Sequence, residues 1–184
     1  HMSPDIEIIG DGCAALSLAA RASELNHNIR LIKPSNAPTT NDHVWGFWSD
    51  PILADAQQLA RATWQKWAII THDDCAVLSS ETRPYNAFKR SDWSEHCKGL
   101  AELSKVTIIA EHEWEKSADS LLFDTRPPVV PNDCMLQHFQ GIEVKTKQPC
   151  FDKDMAILMD FRVDQSKGMH FIYLLPYSTT EALV

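Results

Sequence analysis

The pattern that most constrains the fold of this chain lies in its first 33 residues. An apolar run at residues 5–9 predicts a short strand, which Gly10-Asp11-Gly12 interrupts. Residues 13–25 then carry small apolar side chains at helical spacing, which predicts a helix with a flat face for packing on a sheet. Residues 29–32 predict a second strand. The sequence therefore predicts a β-α-β unit, in which the chain crosses over between two parallel strands.

Three small residues, Gly10, Gly12 and Ala15, occupy the turn between this strand and the helix. In a dinucleotide-binding turn, the first glycine permits the tight turn and the second lets a pyrophosphate approach the backbone. The third small residue lets the helix pack close to the strand, and the backbone N–H groups of Cys13 and Ala14 then face the phosphate. The alternative is a glycine turn that binds no ligand.

The end of the second strand departs from this pattern. An Asp or Glu usually stands there and binds the adenosine ribose, whereas this sequence reads Ile32-Lys33-Pro34. Lys33 could contact a phosphate instead, or the site could be weakened. The sequence leaves the ribose contact open between these alternatives.

Further helices and strands follow up to residue 124, and the second of these helices begins with an Asp92-x-x-Glu95 capping box. In chain order, the predicted elements are a helix at 51–62, hairpin strands at 64–71 and 75–79, a helix at 92–103, and strands at 106–110 and 120–124.

The last third of the chain has a different pattern. Residues 141–147 alternate apolar and charged side chains, and residues 156–163 and 169–175 flank a turn, which is typical of antiparallel strands. We therefore expect an α/β dinucleotide-binding domain over residues 3–130. The start of an antiparallel sheet follows over residues 131–184.

Two motifs next to predicted strands have both a structural and a functional interpretation. Trp45, Phe47 and Trp48 follow the polar loop at residues 34–43, and they fit a small core better than a ligand site. Asp124-Thr125-Arg126 ends a predicted sheet strand, where strand carboxyl ends face a cofactor crevice. Arg126 is thus either a phosphate partner or an arginine in an exposed turn.

A second Asp-x-Arg motif lies inside the most strand-like run, AILMDFRV at residues 156–163. Side chains alternate along a strand, so Asp160 and Arg162 are expected on the same face as Ala156 and Leu158. From the residues alone, a solvated ion pair on the outer face of the sheet is the favoured interpretation, and such pairs contribute little stability.

Composition and charge exclude several classes of protein. The net charge is −8 and no basic cluster interleaves with aromatic residues, which argues against a nucleic-acid partner. No apolar run reaches the roughly 18–20 residues that span a bilayer. Five cysteines without a C-x-x-C motif predict free thiols in a reducing cytosol and no zinc site. His1-Met2 is interpreted as an expression-tag remnant.

Longer segments resemble the flavin-dependent lycopene cyclases of carotenoid biosynthesis, in particular the bacterial β-cyclase branch. These segments span nearly the whole chain. They are IIGDGCAALSLAARASEL, NDHVWGFW, PYNAFKRSDWSEHC, LLFDTRP, LQHFQGIEVKTKQPCFDKDMAILMDFRVDQ and FIYLLPYSTTEALV.

This resemblance implies a glutathione-reductase-like, Rossmann-like FAD/NAD(P)-binding fold with an antiparallel substrate sheet. It implies a redox-neutral cyclisation, in which an acid protonates the linear ψ-end of lycopene or a related carotenoid and a β-ionone ring forms. Reduced FAD is the implied cofactor, with NAD(P)H as its reductant. The implied setting is the cytoplasmic face of a membrane, with peripheral contact.

The resemblance also assigns residues. Gly10, Gly12, Cys13, Ala14 and Ala15 would form the phosphate part of the cofactor site, flanked by Asp124 and Arg126. Lys33 replaces the family's usual acid, and it either contacts a phosphate of the cofactor or weakens the site. Asp160 is the catalytic candidate within the chain, with Arg162 orienting it. No metal is implied, and the oligomeric state is left open. A flavin-dependent monooxygenase or halogenase, and a non-catalytic cofactor-binding domain, are the alternatives.

Two departures from the family pattern give further expectations. The family pattern has a further hairpin near residues 114–117, and this region of the chain is either pared down or incompletely represented. The family continues past the position of Val184 with an acidic residue and a large C-terminal half. We therefore expect an N-terminal fragment that is inactive by itself.

Overall fold

The structure, a computed structural model, describes residues 3–36 and 41–184. His1-Met2, interpreted from the sequence as a tag remnant, and residues 37–40 of the polar loop lie outside the described residues. Over the described residues the strands are β1 (Ile6–Ile9), β2 (Ile29–Lys33), β3 (Val44–Trp48), β4 (Ala62–Trp64), β5 (Lys66–Ile70), β6 (Cys75–Ser79), β7 (Tyr85–Lys89), β8 (Thr107–Ala110), β9 (Leu121–Asp124), β10 (Glu143–Lys145), β11 (Met155–Asp160), β12 (Ile172–Pro176) and β13 (Glu181–Leu183). The helices are α1 (Cys13–Ala20), α2 (Ala22–Leu25), α3 (Ala54–Gln58) and α4 (Arg90–Leu103), with 3-10 turns at Pro51–Leu53 and Glu111–Glu113.

Residue contacts divide the chain into two units, each built from two segments. Unit 1 comprises the described residues of His1–Asp42 and Arg90–Leu136, and unit 2 comprises His43–Lys89 and Gln137–Val184. This division differs from the expected linear boundary between residues 130 and 131. The reason lies in strand pairing, since β5 pairs with β11 and so joins the middle of the chain to its last strands.

Unit 1 contains a four-stranded sheet in the order β8-β2-β1-β9. Each neighbouring pair is parallel, which confirms the predicted β-α-β crossover. Parallel sheets bury their central strands, and Ile8, Ile9 and Ile32 are fully buried here. Helix α1 packs against α4, and the indole N–H of Trp93 donates to the Ser17 hydroxyl at 2.9 Å.

Helix α4 begins at Arg90, before the predicted capping box at Asp92. The carboxylate of Asp42 accepts hydrogen bonds from the Ser91 N–H at 3.0 Å and from the Ser91 hydroxyl at 2.6 Å. A side chain distant in the sequence therefore satisfies this helix end, which a local capping rule could not predict.

Unit 2 contains two sheets. The larger has the order β10-β13-β12-β11-β5-β6, and the smaller has the order β3-β7-β4. The predicted β5–β6 hairpin and the antiparallel C-terminal strands are present, but β5 and β11 pair in parallel. The core of this unit includes Trp64, Tyr85, Leu158 and Leu175.

One predicted helix of unit 2 is shorter than expected. Residues 51–62 form a 3-10 turn and the five-residue helix α3, and strand β4 already begins at Ala62. The strands β3, β4 and β7 were not predicted, because aromatic residues and short polar gaps hide their alternation.

Candidate functional site

The turn after β1 is shaped by a close approach to the end of β9. Gly10 has a φ of 143°, a conformation that favours glycine, and a Cβ on it would overlap the Thr125 hydroxyl. The Thr125 backbone N–H and hydroxyl donate to the Ile9 carbonyl at 2.9 and 2.7 Å. Ala15 is fully buried next to Gly10, as the glycine-turn pattern requires. Thr125 is therefore a determinant of the turn that the sequence pattern did not identify.

The N-terminus of α1 is open on its outer side. Gly12 is the N-cap, with extended backbone angles, and a Cβ on it would meet nothing within 4 Å. The first bond within the helix runs from the Leu16 N–H to the Gly12 carbonyl at 3.0 Å. Cys13 and Ala14 are exposed, and no side chain among the described residues caps this end. Free N–H groups and open space fit a phosphate, which the positive end of a helix dipole attracts.

Asp124 and Arg126 form a tight ion pair at the end of β9. The guanidinium donates to the Asp124 carboxylate from Nε at 2.9 Å and from Nη2 at 2.6 Å. The hydrogen bond from Arg126 lowers the pKa of the Asp124 carboxyl below its usual range. Nη1 of Arg126 also donates to Oε1 of Glu111 at 2.9 Å. Arg126 is thus held by two carboxylates at the carboxyl edge of the sheet, where its remaining N–H groups could bind a phosphate.

Lys33 is the last residue of β2 and is exposed. It is paired in register with Ala110 at the end of β8. The predicted site residues lie at the carboxyl ends of strands of one parallel sheet, in the turns that follow them or in the first turn of α1: Gly10, Gly12, Cys13, Ala14, Ala15, Lys33, Asp124 and Arg126. Ligands of open α/β sheets bind at this edge.

Glu7 is a buried carboxylate in the centre of β1 that sequence reasoning passed over. Its side chain is fully buried and accepts hydrogen bonds from Arg30 Nη2 at 2.6 Å, Trp114 Nε1 at 2.5 Å, the Ser117 N–H at 2.8 Å and the Ser120 hydroxyl. Burial alone would raise its pKa, but the hydrogen bonds outweigh burial and lower the pKa to about 2.

These bonds explain why residues 114–117, where a hairpin was expected, form a loop instead. Residues Glu111–Glu113 form a 3-10 turn, and the following loop closes over the Glu7 carboxylate. All of the hydrogen bonds that the Glu7 carboxylate accepts come from groups of the protein itself. Glu7 therefore anchors this loop and is not a ligand-binding group. A lone acid in an apolar strand is the sequence signal that could have indicated such an anchor.

Asp160 and Arg162 belong to unit 2, at the end of β11. The guanidinium donates to Asp160 from Nε at 2.9 Å and from Nη2 at 2.8 Å. The side chain of Asp160 is 19% exposed and that of Arg162 is 52% exposed. The hydrogen bond from Arg162 lowers the pKa of Asp160, whereas a general acid needs a raised pKa. The geometry therefore matches the ion-pair interpretation.

The face expected for this pair is altered by an irregularity in β11. Ala156 and Leu158 are buried, but the pairing register with β5 shifts between Ile157 and Met159. Strand β11 ends at Asp160, so simple alternation does not extend to Arg162.

The aromatic residues of β3 do not form one cluster. The rings of Trp45 and Phe47 lie 6.2 and 5.1 Å from that of Phe88. Trp48, on the other face of the strand, lies 5.0 Å from Tyr85 and is 48% exposed. The expected small core is therefore only partly built from these residues, since the buried aromatic centre is formed by Trp64 and Tyr85.

Unit 2 also has a pocket of about 260 Å³ lined by residues including Arg61, Glu143, Lys145 and Tyr177. Arg61 donates to Glu143 at 2.6 Å and lies 3.8 Å above the centre of the Tyr177 ring. Within the described residues, the buried Tyr177 hydroxyl has no hydrogen-bond partner. Burial raises the pKa of Tyr177. The charges that line this pocket are paired, Arg61 with Glu143 and Lys145 with Glu181.

Residues 3–36 and 41–184 contain no metal-binding cluster, disulfide or membrane-spanning helix. No group of three or more His, Cys, Asp or Glu side chains there could hold a metal ion. The five cysteines are free thiols. No helix in this part of the chain is long and apolar enough to cross a bilayer.

Similarity to known proteins defines the fold class. A geranylgeranyl bacteriochlorophyll reductase-like protein from Thermoplasma acidophilum has a TM-score of 0.59 at 13% identity over 98% of this chain and 55% of its own. A variant of 2-methyl-3-hydroxypyridine-5-carboxylic acid oxygenase has a TM-score of 0.63 at 15% identity over 99% of this chain and 58% of its own. The α/β, Rossmann-like class of FAD/NAD(P)-binding folds with an antiparallel β portion is thereby confirmed.

Sequence similarity defines the family. The family model described as lycopene cyclase protein matches residues 5–184, so the chain belongs to the lycopene cyclase family. The chain is 26% identical over 204 residues to the lycopene beta-cyclase of Paracoccus sp. (strain N81106 / MBIC 01143). That alignment covers 100% of this chain and 50% of the relative, so the chain spans about half the length of the curated relative.

Proposed function

We propose that this chain forms the dinucleotide-binding part and the first substrate-sheet strands of a flavin-dependent lycopene β-cyclase. Family membership and the similarity to a lycopene beta-cyclase support the reaction class. The observation that supports a cofactor site in this chain is the open α1 N-terminus at Gly12, next to the Gly10 turn. Because the chain spans about half of its curated relative, the activity is proposed for the whole protein.

FAD is the proposed cofactor, with NAD(P)H as the source of its reduced form. Bound reduced flavin would supply electron density near the developing cation without net electron transfer. Within this chain, the N–H groups of Cys13 and Ala14 would bind the pyrophosphate, and Gly12 would leave room for it. Arg126, held by Asp124 and Glu111, would add a charged donor at the same edge.

The proposed reaction is an isomerase or intramolecular-lyase type of ring closure on a linear carotenoid. A proton adds to the terminal double bond of the ψ-end, a six-membered ring closes, and a proton is lost to give a β-ionone ring. Such a cation needs a dry pocket, aromatic faces and a proton donor with a raised pKa. The hydrogen bond from Arg162 lowers the pKa of Asp160, which disfavours this carboxyl as the proton donor. Peripheral contact with the cytoplasmic face of a membrane would give access to the substrate.

Pigment analysis tests this proposal. The natural gene is expressed in a lycopene-accumulating bacterial host, and the carotenoids are separated by chromatography. The proposal predicts cyclic carotenoids with β-ionone ends in place of lycopene. Unchanged lycopene in cells that contain the folded protein would contradict it.

A flavin-dependent oxidoreductase is the second candidate, because the fold is shared with an oxygenase at a TM-score of 0.63. An oxygenase would consume NAD(P)H and oxygen in proportion to product, whereas a cyclase would not consume reductant in each turnover. Measuring NAD(P)H oxidation and oxygen uptake during pigment formation separates the two. A third candidate, a non-catalytic cofactor-binding domain, predicts flavin binding without any change of pigment.

A further inference from the structure

The carboxyl edge of the sheet in unit 1 contains a carboxylate in the region where the glycine-turn pattern lacks one. In dinucleotide-binding sheets, an acid at the end of the second strand accepts a hydrogen bond from the adenosine ribose. Lys33 stands at that position, and an ammonium group donates hydrogen bonds but accepts none. The ribose contact must therefore come from another residue, if this edge binds an adenine dinucleotide.

Glu111 reaches the end of β2 from the neighbouring strand. It follows directly after β8, which pairs in parallel with β2. Its Oε2 accepts a hydrogen bond from the Ser35 N–H at 2.8 Å, two residues after the last residue of β2. This bond fixes the Glu111 carboxylate beside the chain segment that normally carries the ribose-binding acid.

The other oxygen of Glu111 accepts a hydrogen bond from a residue that follows the strand at the opposite edge of the sheet. Oε1 accepts from Arg126 Nη1 at 2.9 Å, and Arg126 follows β9 at the opposite edge from β8. Neighbouring strands lie about 4.8 Å apart, so β8 and β9 are separated by roughly 14 Å. The Glu111 and Arg126 side chains therefore meet above the carboxyl ends of β2 and β1, where a bound dinucleotide would lie.

The carboxylate retains capacity for a ligand in this position. Each carboxylate oxygen can accept two hydrogen bonds, and Oε1 and Oε2 of Glu111 each accept one from the protein. The Glu111 side chain is 30% exposed, so a hydroxyl group can approach it from solvent.

We infer that Glu111 is the ribose-binding residue of this chain and replaces the acid that is missing at Lys33. This inference rests on the proposed dinucleotide site and specifies how that site recognises the ribose. Ser35 and Arg126 position the Glu111 carboxylate, and the 2′-hydroxyl of an adenine nucleotide donates to it. The site accordingly selects a ribonucleotide over its 2′-deoxy analogue.

Calorimetric titration of the 184-residue chain with ADP, 2′-deoxy-ADP and inorganic pyrophosphate tests this inference. The wild-type chain is expected to bind ADP roughly tenfold more tightly than 2′-deoxy-ADP, the difference typical of one hydrogen bond to a charged group. Glu111→Gln is expected to reduce this ratio to about twofold or less, with pyrophosphate affinity changed by less than about threefold.

Glu113→Gln is the matched control, since Glu113 lies in the same 3-10 turn with a side chain that is 65% exposed. This variant should discriminate between the nucleotides as the wild type does. Circular dichroism and the Tm verify that each variant folds.

Three results would overturn the inference. If Glu111→Gln keeps the full preference for ADP, Glu111 does not contact the ribose and the dinucleotide site remains. If the variant binds ADP, 2′-deoxy-ADP and pyrophosphate more weakly by the same factor, Glu111 acts only through Arg126. If neither ADP nor pyrophosphate binds the wild-type chain, both the inference and the proposed cofactor site fail.

Discussion

The two Asp-x-Arg motifs fold in nearly the same way but have different surroundings. In both, the backbone N–H of the arginine donates to Oδ1 of the aspartate at 3.1 Å, and Nε donates to the same oxygen at 2.9 Å. Arg126 makes a further ion pair with Glu111 at the carboxyl edge of a parallel sheet. Arg162 has Asp160 alone as its ion-pair partner among the described residues.

This contrast shows that the motif itself carries no function. Two residues apart, an aspartate and an arginine satisfy each other wherever the strand ends. What differs is the neighbourhood, since Arg126 lies on the same sheet edge as the Gly10 turn and the α1 N-terminus. The first motif is therefore a candidate for ligand binding, and the second is an ion pair without a further charged partner among the described residues.

The largest loss of stability is expected on substitution of a third carboxylate, Glu7. Its side chain is fully buried, whereas the side chains of the two motifs are partly exposed. A pKa lowered from 4.5 to about 2 corresponds to about 3 kcal/mol of stability at neutral pH. Glu7→Gln removes this contribution and leaves the Arg30 guanidinium without its carboxylate. Urea unfolding at pH 7 should show a loss of about 3 kcal/mol.

The pH dependence gives a second readout of the same substitution. The pKa of Glu7 is lower in the folded chain, so its contribution is fully present above about pH 4.5 and is lost as the pH falls towards 2. The unfolding free energy of Glu7→Gln should therefore fall less steeply with acid over this window than that of the wild type. An equal slope would show that Glu7 is not held ionised.

Substitutions at two glycines with positive φ distinguish the cost of backbone strain from the cost of crowding against Thr125 in the first motif. Gly10→Ala would place a methyl group against the Thr125 hydroxyl, whereas Gly168 has open space around the same position. Both substitutions strain the backbone, because φ is 143° at Gly10 and 126° at Gly168. Gly10→Ala should cost about 2 kcal/mol more than Gly168→Ala in urea unfolding, from overpacking. Equal costs would contradict the close approach of Thr125.

The arginines themselves test the comparison most simply. Arg126→Gln should weaken ADP binding about tenfold, because a charged donor at the carboxyl edge is lost. Arg162→Gln should leave ADP affinity within about twofold, since Arg162 belongs to a different unit. Calorimetry with both variants provides the measurement. Equal weakening by both would break the distinction between the two motifs.

The smallest effect is expected for Asp160→Asn in the whole protein. A general acid contributes roughly 10²–10⁴-fold to a rate, whereas an exposed ion pair contributes little. Pigment formation by Asp160→Asn should therefore stay within about threefold of the wild type. A loss of about a hundredfold or more, with the fold intact by circular dichroism, would restore Asp160 as a catalytic group.

Local patterns predicted the parts of the fold that depend on local physics. The β-α-β opening follows from the small residues at 10, 12 and 15, and the β5–β6 hairpin follows from its polar turn. The parallel pairing of β5 with β11 joins residues far apart in the sequence, and no periodicity encodes it.

The candidate site was predictable in its backbone and not in its long-range contacts. The glycine pattern identified the open helix N-terminus at Gly12. The roles of Thr125 and Glu111 depend on which strand ends lie next to each other, and that becomes visible only in the folded sheet. Glu7 was hidden for the same reason, because its partners are residues 30 and 114–120.

The central claim is that the carboxyl edge of unit 1 binds a dinucleotide through the N-terminus of α1. Titration of the wild-type chain, Gly12→Val and the control Gly99→Val with FAD, followed by absorbance and flavin fluorescence, tests it directly. A Cβ at Gly12 or Gly99 meets nothing within 4 Å, so both variants should fold. We predict that the wild type and Gly99→Val bind FAD and that Gly12→Val does not, because its side chain fills the phosphate space. Equal FAD binding by all three proteins would contradict the account.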